Sequence, residues 1–490
     1  MFITMISPEC APVAKVGGMA DVVNGLSREL EIRGNEVEII LPKYDCMRYD
    51  HIWGLQPTFN DLWVPWYGGA VHCTVLFGFV HGRKCFFIEP HSNDNFFNRG
   101  VFYGCNDDIL RFAFFSKAAL EYLIQSGKHP DIIHCHDWQT GLVPVMLYEQ
   151  YKWSGMTHPR VCYTIHNFKH QGITGEFALH ATQLGRPDYY YHYDRLRDNF
   201  NNTAINFMKG GIVYSNFVTT VSPKHCWEAK YTDQGFGLQH TLQLHECKFG
   251  GVLNGIDYEV WNPEVDGYIA AQYGVDTIGE KYNNKRALRD RLLLRDDYKP
   301  IIAFIGRLDP QKGLDLVKHA LFYAMDRGAQ FILLGSSPDG GINNYFWHLK
   351  HHLNDNPDCH LEIGFQEELS HLIYAGADMV VVPSLFEPCG LTQMISMRYG
   401  TVPIVRAVGG LVDTVFDKDF SDRALHERNG FVFHEADWAG VESGLGRAIS
   451  LWYAYPDHFR NLMQNGMRYD YSWNYPGQHY MNIYDFIRER

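Results

Sequence analysis

Residues 380–394 read VVVPSLFEPCGLTQM. Met379 to Val382 is a four-residue apolar run and reads as a strand buried on both faces. It stops at Pro383. Ser384 to Pro388 then turns, and Gly390 and Leu391 are expected to open a helix. An open α/β sheet binds its ligand outside the carboxyl ends of its strands. Glu387 occupies that position, oriented by backbone on both sides, and is expected to face a ligand; the competing reading is a helix-capping carboxylate without chemistry.

The same alternation continues on either side. Toward the carboxyl end, Val402 to Val405 and Phe431 to Phe433 read as strands, and Gly409-Gly410 precedes Leu411 and Val412, a glycine pair before a helix that can receive a phosphate or a hydroxyl. Residues 441–463 read as helical, and Tyr471 to Ile487, rich in Tyr and Trp, as a final helix able to fold back across a domain junction. Toward the amino end, Leu361 to Ile363, Phe331 to Leu334 and Ile301 to Ile305 are strands, so the sheet should be mainly parallel. Ile305 delivers Gly306-Arg307-Leu308-Asp309-Pro310-Gln311-Lys312-Gly313 just before a helix, which sets Arg307 and Lys312 beside helix-start donors. His348, His351 and His352 read as a solvated polar face. VLNGIDYEVWNP, residues 252–263, carries turn signals and a closing proline and is the expected interdomain crossing.

In the amino-terminal half, strand Phe2 to Ile6, the loop SPECAPVAKVGG, a helix with Met19, Val22, Val23, Leu26 and Leu30 on one face, the stop Arg33-Gly34 and strand Val37 to Leu41 form one βαβ unit. Gly17-Gly18 stands at the helix start, where free N–H groups favour an anion, and Lys15 adds a point charge. With Arg307 and Lys312 it can clamp a diphosphate from opposite domains; a tight turn without a ligand is the other reading. The loop is neither GxGxxG nor a Walker loop, which excludes a simple nicotinamide or P-loop label. Asp21, one turn inside the helix, serves the dipole or touches a ligand hydroxyl. Residues 53–104 give strands at Val71 to Phe77 and Lys84 to Ile88 and a polar loop from His91 to Gly104. Arg111 to Ile124 is helical, and Asp131 to Cys135 is a strand ending in His134-Cys135-His136-Asp137-Trp138. The two histidines alternate as a metal pair would, but no third ligand follows at matching spacing, so no metal is expected. Arg160 to Ile165 delivers His166-Asn167, where a histidine can bond a sugar hydroxyl, stabilise developing charge, or merely structure the loop. YYYHY at Tyr189 to Tyr193 packs either a sugar chain or an insertion. Phe217 to Val221 is a strand, and the domain should finish near residue 250.

At 490 residues the chain is too long for one ordinary core, and its 46% apolar content supports two. A net charge of −13 disfavours nucleic acid and anionic membranes as partners. Eleven cysteines without a CxxC pair read as free thiols in a reducing compartment. The amino terminus begins as a strand with no secretion signal or apolar span, so the expected location is cytoplasmic. Aromatic residues make up 15%; sugars stack on such rings, but most must be core.

With these motifs in place, the chain resembles the bacterial glycogen synthases and starch synthases of glycosyltransferase family 5. The matching stretches are Lys15-Val16-Gly17-Gly18, His134 to Trp138, Thr164 to Asn167, Asn254 to Asp257, Gly306 to Leu308 with Gln311 to Gly313, and Phe386 to Gln393, in the family's order along nearly the whole chain. ILPKYDC, HPDIIHCHDW, DRLRDN and HLIYAGAD are closer to starch synthase classes III and IV. The resemblance implies the GT-B fold, two Rossmann-like domains facing a cleft: residues 1–250 on the glucan acceptor side, 251–468 binding the nucleotide sugar, and 469–490 a helix returning to the first domain. It places Lys15, Gly17 and Gly18 at the donor diphosphate with Arg307 and Lys312, His166 near the transferred sugar, Glu387 in the donor pocket and Asp137 on the acceptor or sugar side. Glu387, His166, Arg307 and Lys312 are the implied catalytic residues; Asp21, Asn167, Asn254, Cys389, Gly390, Leu391, Thr392, Gly409 and Gly410 complete the implied substrate-binding set. Related retaining transferases carry a second glutamate eight residues after the first; Ile395 stands there, so no paired-carboxylate role is assigned.

The implied reaction moves α-glucose from ADP-glucose to the nonreducing-end 4-hydroxyl of an α-1,4-glucan or maltooligosaccharide with retention, releasing ADP, with no cofactor, metal, nucleic acid or membrane. Charge growing on the leaving diphosphate is met by Arg307 and Lys312, the leaving oxygen takes the acceptor proton, and Glu387 supports the oxocarbenium-like sugar. The alternatives are a glucan phosphorylase, which needs pyridoxal phosphate and usually a longer chain, a nucleotide-sugar transferase with a small acceptor, and a noncatalytic glucan-binding protein.

Overall fold

The computed structural model describes residues 1–364 and 366–489. The chain forms two compact units, Met1–Gly255 with Trp473–Arg490, and Ile256–Ser472.

The first unit is built on a nine-stranded sheet. In chain order its strands are β1 (Phe2–Ile6), β2 (Glu36–Pro42), β3 (Ile52–Trp66), β4 (Gly69–Val80), β5 (Arg83–Pro90), β6 (Ile132–His136), β7 (Arg160–Ile165), β10 (Phe217–Thr220) and β11 (Phe249–Gly251); β8 (Ile173–Thr174) and β9 (Ile205–Asn206) form a separate two-stranded antiparallel sheet. The spatial order is β11-β10-β7-β6-β1-β2-β5-β4-β3. Every pairing from β11 to β5 is parallel, and its strands are near-continuous apolar runs because helices cover both faces. β4 adds antiparallel to β5, and β3 antiparallel to β4, at the edge. The sequence reading missed β3: it is an edge strand with two prolines, three register shifts and mostly exposed side chains, so it shows no buried run.

The helix Gly18–Ile32 buries the predicted face of Met19, Val22, Val23, Leu26 and Leu30 and ends where Gly34 takes a φ of 83°. Against it and β7 packs the last helix, Asn474–Arg488, which buries Tyr480, Tyr484 and Ile487. A side chain at Gly25 would meet the Trp473 indole at 2.0 Å, so only glycine admits this approach. Arg33 fastens the helix start by donating to the Asn474 carbonyl and Gln478 Oε1, each at 2.7 Å.

The second unit is an all-parallel sheet of β12 (Ile301–Ile305), β13 (Gln330–Gly335), β14 (Cys359–Ile363), β15 (Met379–Val382), β16 (Val402–Arg406) and β17 (Phe431–Phe433), in the order β14-β13-β12-β15-β16-β17. Two helix-flanked parallel sheets of this kind are the two Rossmann-like domains of the GT-B fold. The helix after β15 starts at Thr392 rather than at Gly390, because Gly390 takes a φ of 76° and remains in the turn. Lys281 lies buried beneath this unit's helices and donates to the carbonyls of Tyr374, Ala375 and Tyr399 and to Thr401 Oγ1 at 2.8–3.0 Å, capping the ends of helices Glu367–Gly376 and Thr392–Arg398.

All eleven cysteines are free thiols. Among the described residues no helix is long and apolar enough to cross a membrane.

Candidate active site

In the second unit the loops after β12, β15 and β16 converge at the carboxyl end of the sheet. Lys312 Nζ lies 2.5 Å from Glu387 Oε2, which also accepts the Ser384 hydroxyl at 2.8 Å. The carboxylate is buried, 6% exposed, so the ammonium and hydroxyl replace the water it gave up. Lys312 ends a short turn, Pro310–Lys312, capped by the Asp309 carboxylate. Gly313 follows with a φ of 69°, and a side chain there would strike the Pro383 carbonyl at 2.5 Å. Two bonds stitch this turn to the one that carries Glu387: Leu385 N–H donates to the Gln311 carbonyl at 2.8 Å, and the Gln311 amide to the Phe386 carbonyl at 3.2 Å.

Gly409 and Gly410 pack against the backbone that carries Glu387. A side chain at Gly409 would overlap the Glu387 carbonyl at 1.9 Å, and one at Gly410 the Cys389 carbonyl at 2.2 Å. The Gly410 N–H donates to the carbonyls of Glu387 and Pro388. The Gly410 donor is thus used inside the protein, and both glycines pack closely against backbone. Cys389 is buried, Gly390 and Leu391 are half-buried in the turn, and Thr392 Oγ1 reaches the Ile305 carbonyl at 3.4 Å. Arg307 is exposed at the end of β12.

The first unit gathers a second cluster. Asp137 follows β6 with a φ of 54°, and its Oδ1 accepts the N–H groups of His166 at 2.6 Å and Asn167 at 3.4 Å. Burial raises its pKa from 3.8 to about 7 against the pull of those N–H groups, and the nearby Glu9 charge adds to the rise. The His166 ring shares a hydrogen bond with His136 at 3.1 Å, and desolvation lowers its pKa to about 3, leaving it neutral. His134 and His136 do stack side by side, at 4.4 Å, but both His134 nitrogens are taken, by Tyr484 and Thr164 at 2.7 Å each. Among the described residues no group of three or more potential ligands could hold a metal. The Asn254 side-chain oxygen is buried and accepts no hydrogen bond from the protein.

The glycine loop holds a residue the sequence reading passed over. Glu9 is 3% exposed; its Oε2 accepts the N–H groups of Val16 at 2.8 Å and Gly17 at 3.0 Å, and its Oε1 accepts the Tyr103 hydroxyl at 2.6 Å. Two of the donors expected for a bound anion are therefore held by an internal carboxylate, whose pKa burial raises. Lys15 pairs with Asp21 at 2.7 Å, so its charge is shared within the loop, and Gly18 opens the helix beside them. The only sequence signal for Glu9 was a lone acid among small and apolar loop residues. Within Tyr189 to Tyr193 only Tyr190 is buried and His192 is exposed; the Arg195 guanidinium sits 3.5 Å from the Tyr189 ring and Lys209 3.9 Å from that of Tyr193.

Residues 2–244 match the family model described as the starch synthase catalytic domain, and residues 285–466 that of group 1 glycosyl transferases. Glycogen synthase 2 of Methylococcus capsulatus is 71% identical over 485 residues, covering 99% of this chain and 100% of the relative. The chain belongs to the glycogen and starch synthase family. Within that family, glycogen synthase 1 of a Synechococcus species is 66% identical over the whole of both chains. The catalytic domain of starch synthase IV from Arabidopsis thaliana, solved with ADP and acarbose, superposes with a TM-score of 0.97 at 42% identity, covering 100% of this chain and 99% of that one. A cyanobacterial sucrose-phosphate synthase, at 19% identity and a TM-score of 0.61, shares the fold alone. These two bacterial glycogen synthases stand well above the class IV starch synthase in identity, so the four motifs that lean toward classes III and IV do not place the chain there.

Proposed function

We propose that this chain is a retaining glucosyltransferase of the glycogen synthase type, extending an α-1,4-glucan at its nonreducing-end 4-hydroxyl with glucose from ADP-glucose and working in the cytoplasm. The observation that carries this reading is the Lys312–Glu387 pair at 2.5 Å, a cation and a buried carboxylate locked together at the carboxyl end of a parallel sheet. Such a pair suits a reaction in which opposite charges separate: Lys312, with Arg307, meets the negative charge growing on the leaving diphosphate, and Glu387 meets the positive charge on the sugar. Ile395 occupies the place of a second glutamate and is buried, so the proton of the incoming hydroxyl passes to the leaving phosphate oxygen. In the first unit, Asp137, His166, Asn167 and Asn254 supply hydrogen-bonding groups for sugar hydroxyls, while Glu9 shapes the loop of Lys15, Gly17, Gly18 and Asp21. The neutral His166 ring suits hydrogen bonding better than charge stabilisation. Relatives named glycogen synthase and the relative solved with ADP support the donor and the polymer.

The test is glucose transfer from ADP-glucose and from UDP-glucose to a maltooligosaccharide series, with every product length resolved. Stepwise longer α-1,4 chains made chiefly from ADP-glucose are expected, and Lys312→Ala should lower kcat/KM by at least about a hundredfold, the scale of one lost transition-state donor. A folded protein that extends no acceptor with either donor overturns the reading; transfer only to a small acceptor would replace the polymer with that acceptor.

A further inference from the structure

A groove of about 970 Å³ opens in the second unit between the first turns of helices Leu314–Asp326, Gly340–Leu353 and Trp438–Ala454. Neither Lys312 nor Glu387 lines it, although Pro310 and Leu385, from the turns that carry them, close its inner end. Its floor is apolar, with Leu316, Ile342 and Phe346, and two aromatic rings stand on its walls. Trp438 is 62% exposed, yet its ring is fixed: the His319 imidazole stacks on it at 4.6 Å with planes 2° apart, and Glu442 holds that imidazole by a 2.8 Å hydrogen bond. Tyr345 is 47% exposed, with the Lys318 ammonium 4.9 Å from its ring and Lys318 paired to Asp315 at 2.7 Å. A concave surface that shows rigid, open aromatic faces to water is the mark of a binding site.

We infer that this groove is a second α-glucan site, distinct from the donor site and dependent on the reading that the chain elongates glucan. A pyranose has one apolar face and a rim of hydroxyls, which matches Trp438 and Tyr345 as platforms bordered by Asp315, Lys318 and Asp437. Two carboxylates against one ammonium make the rim unfit for a phosphate. Charged groups set between the rings break the continuous apolar stripe that an amphipathic helix requires. A polymer held here as well as at the reacting end gains effective concentration without any new contact at the chemistry, so only long acceptors benefit.

The experiment compares the full-length protein with Trp438→Ala, Trp438→Phe and Tyr345→Ala, by migration in native gels cast with glycogen and by KM for glycogen and for maltotriose with ADP-glucose. Trp438→Ala and Tyr345→Ala should each lose the glycogen-dependent retardation and raise the glycogen KM by about fivefold or more, while kcat on maltotriose stays within about twofold and Trp438→Phe keeps most of the retardation. Unchanged retardation and glycogen KM in both alanine variants, with wild type active on maltotriose, overturns the inference and leaves the groove to a protein partner. If wild type transfers no glucose, the functional reading fails, and the gel alone still decides whether these rings bind glucan.

Discussion

Asp137 holds a left-handed backbone that costs an L side chain roughly 1 kcal/mol or more, and it keeps a carboxyl in a site that resists its charge. The sign of the pH effect follows. A folded pKa of about 7 against an ordinary 3.8 means that the native state binds the proton more tightly than the unfolded chain. The resulting stability is present in full below pH 3.8 and is lost as pH rises to about 7. Asparagine does not titrate and retains an oxygen for the His166 N–H. Asp137→Asn should therefore gain on wild type as pH rises: relative to its value at pH near 4, the difference in unfolding free energy should move toward the variant by a few kcal/mol by pH near 8, on the order of the pKa shift. A gap that stays constant across that range would mean that Asp137 keeps its charge throughout. At this scale the sequence spoke unevenly. Glu387 and Lys312 were legible because each stands between a strand end and a helix start, a position defined by short-range pattern. Glu9 was not, since the partner that explains it, Tyr103, lies 94 residues away in a loop without periodicity.

Lys281 ties two helices together by their carbonyl ends. Replacing it with methionine keeps the aliphatic stem but leaves the Ala375 carbonyl without a donor, while the Tyr374 and Tyr399 carbonyls keep only the Thr401 and Tyr273 hydroxyls. Lys281→Met should cost about 1–3 kcal/mol, read as a lower midpoint in urea unfolding; a loss under about 0.5 kcal/mol would show that solvent reaches the Ala375 carbonyl instead. The central parallel strands could be placed from sequence because burial on both faces leaves a continuous apolar run, as at Met379–Val382 and Ile301–Ile305. β3 could not, since an edge strand keeps polar side chains and prolines that mimic a loop. The helix start after β15 was read too early for a related reason: a glycine before a helix serves equally as its first residue or as the left-handed corner that precedes it, and φ alone separates the two.

The first unit is assembled from both ends of the chain, and residues 473–490 complete its core through Trp473, Tyr480, Tyr484 and Ile487. A chain ending at Ser472 should lose the ordered first unit while Ile256–Ser472 keeps its own core. Limited proteolysis should then degrade the amino-terminal segment and leave a resistant fragment of the second unit; equal protection of both would show that the last helix is dispensable. Periodicity marked this stretch as a helix but could not say where it docks, because the surfaces it meets, Gly25 and His134, lie more than 300 positions earlier. Synthesis reaches that helix only after the whole of the second unit. Residues 1–255 emerge first and must wait, with the outer face of Gly18–Ile32 bare and His134 lacking Tyr484, until the entire second unit has been synthesised. Throughout elongation the nascent chain therefore carries an unfinished core of the kind that chaperones shield. A stop codon after Ser472 would yield a polypeptide bearing every residue of the candidate site and no last helix to close the core that holds half of them.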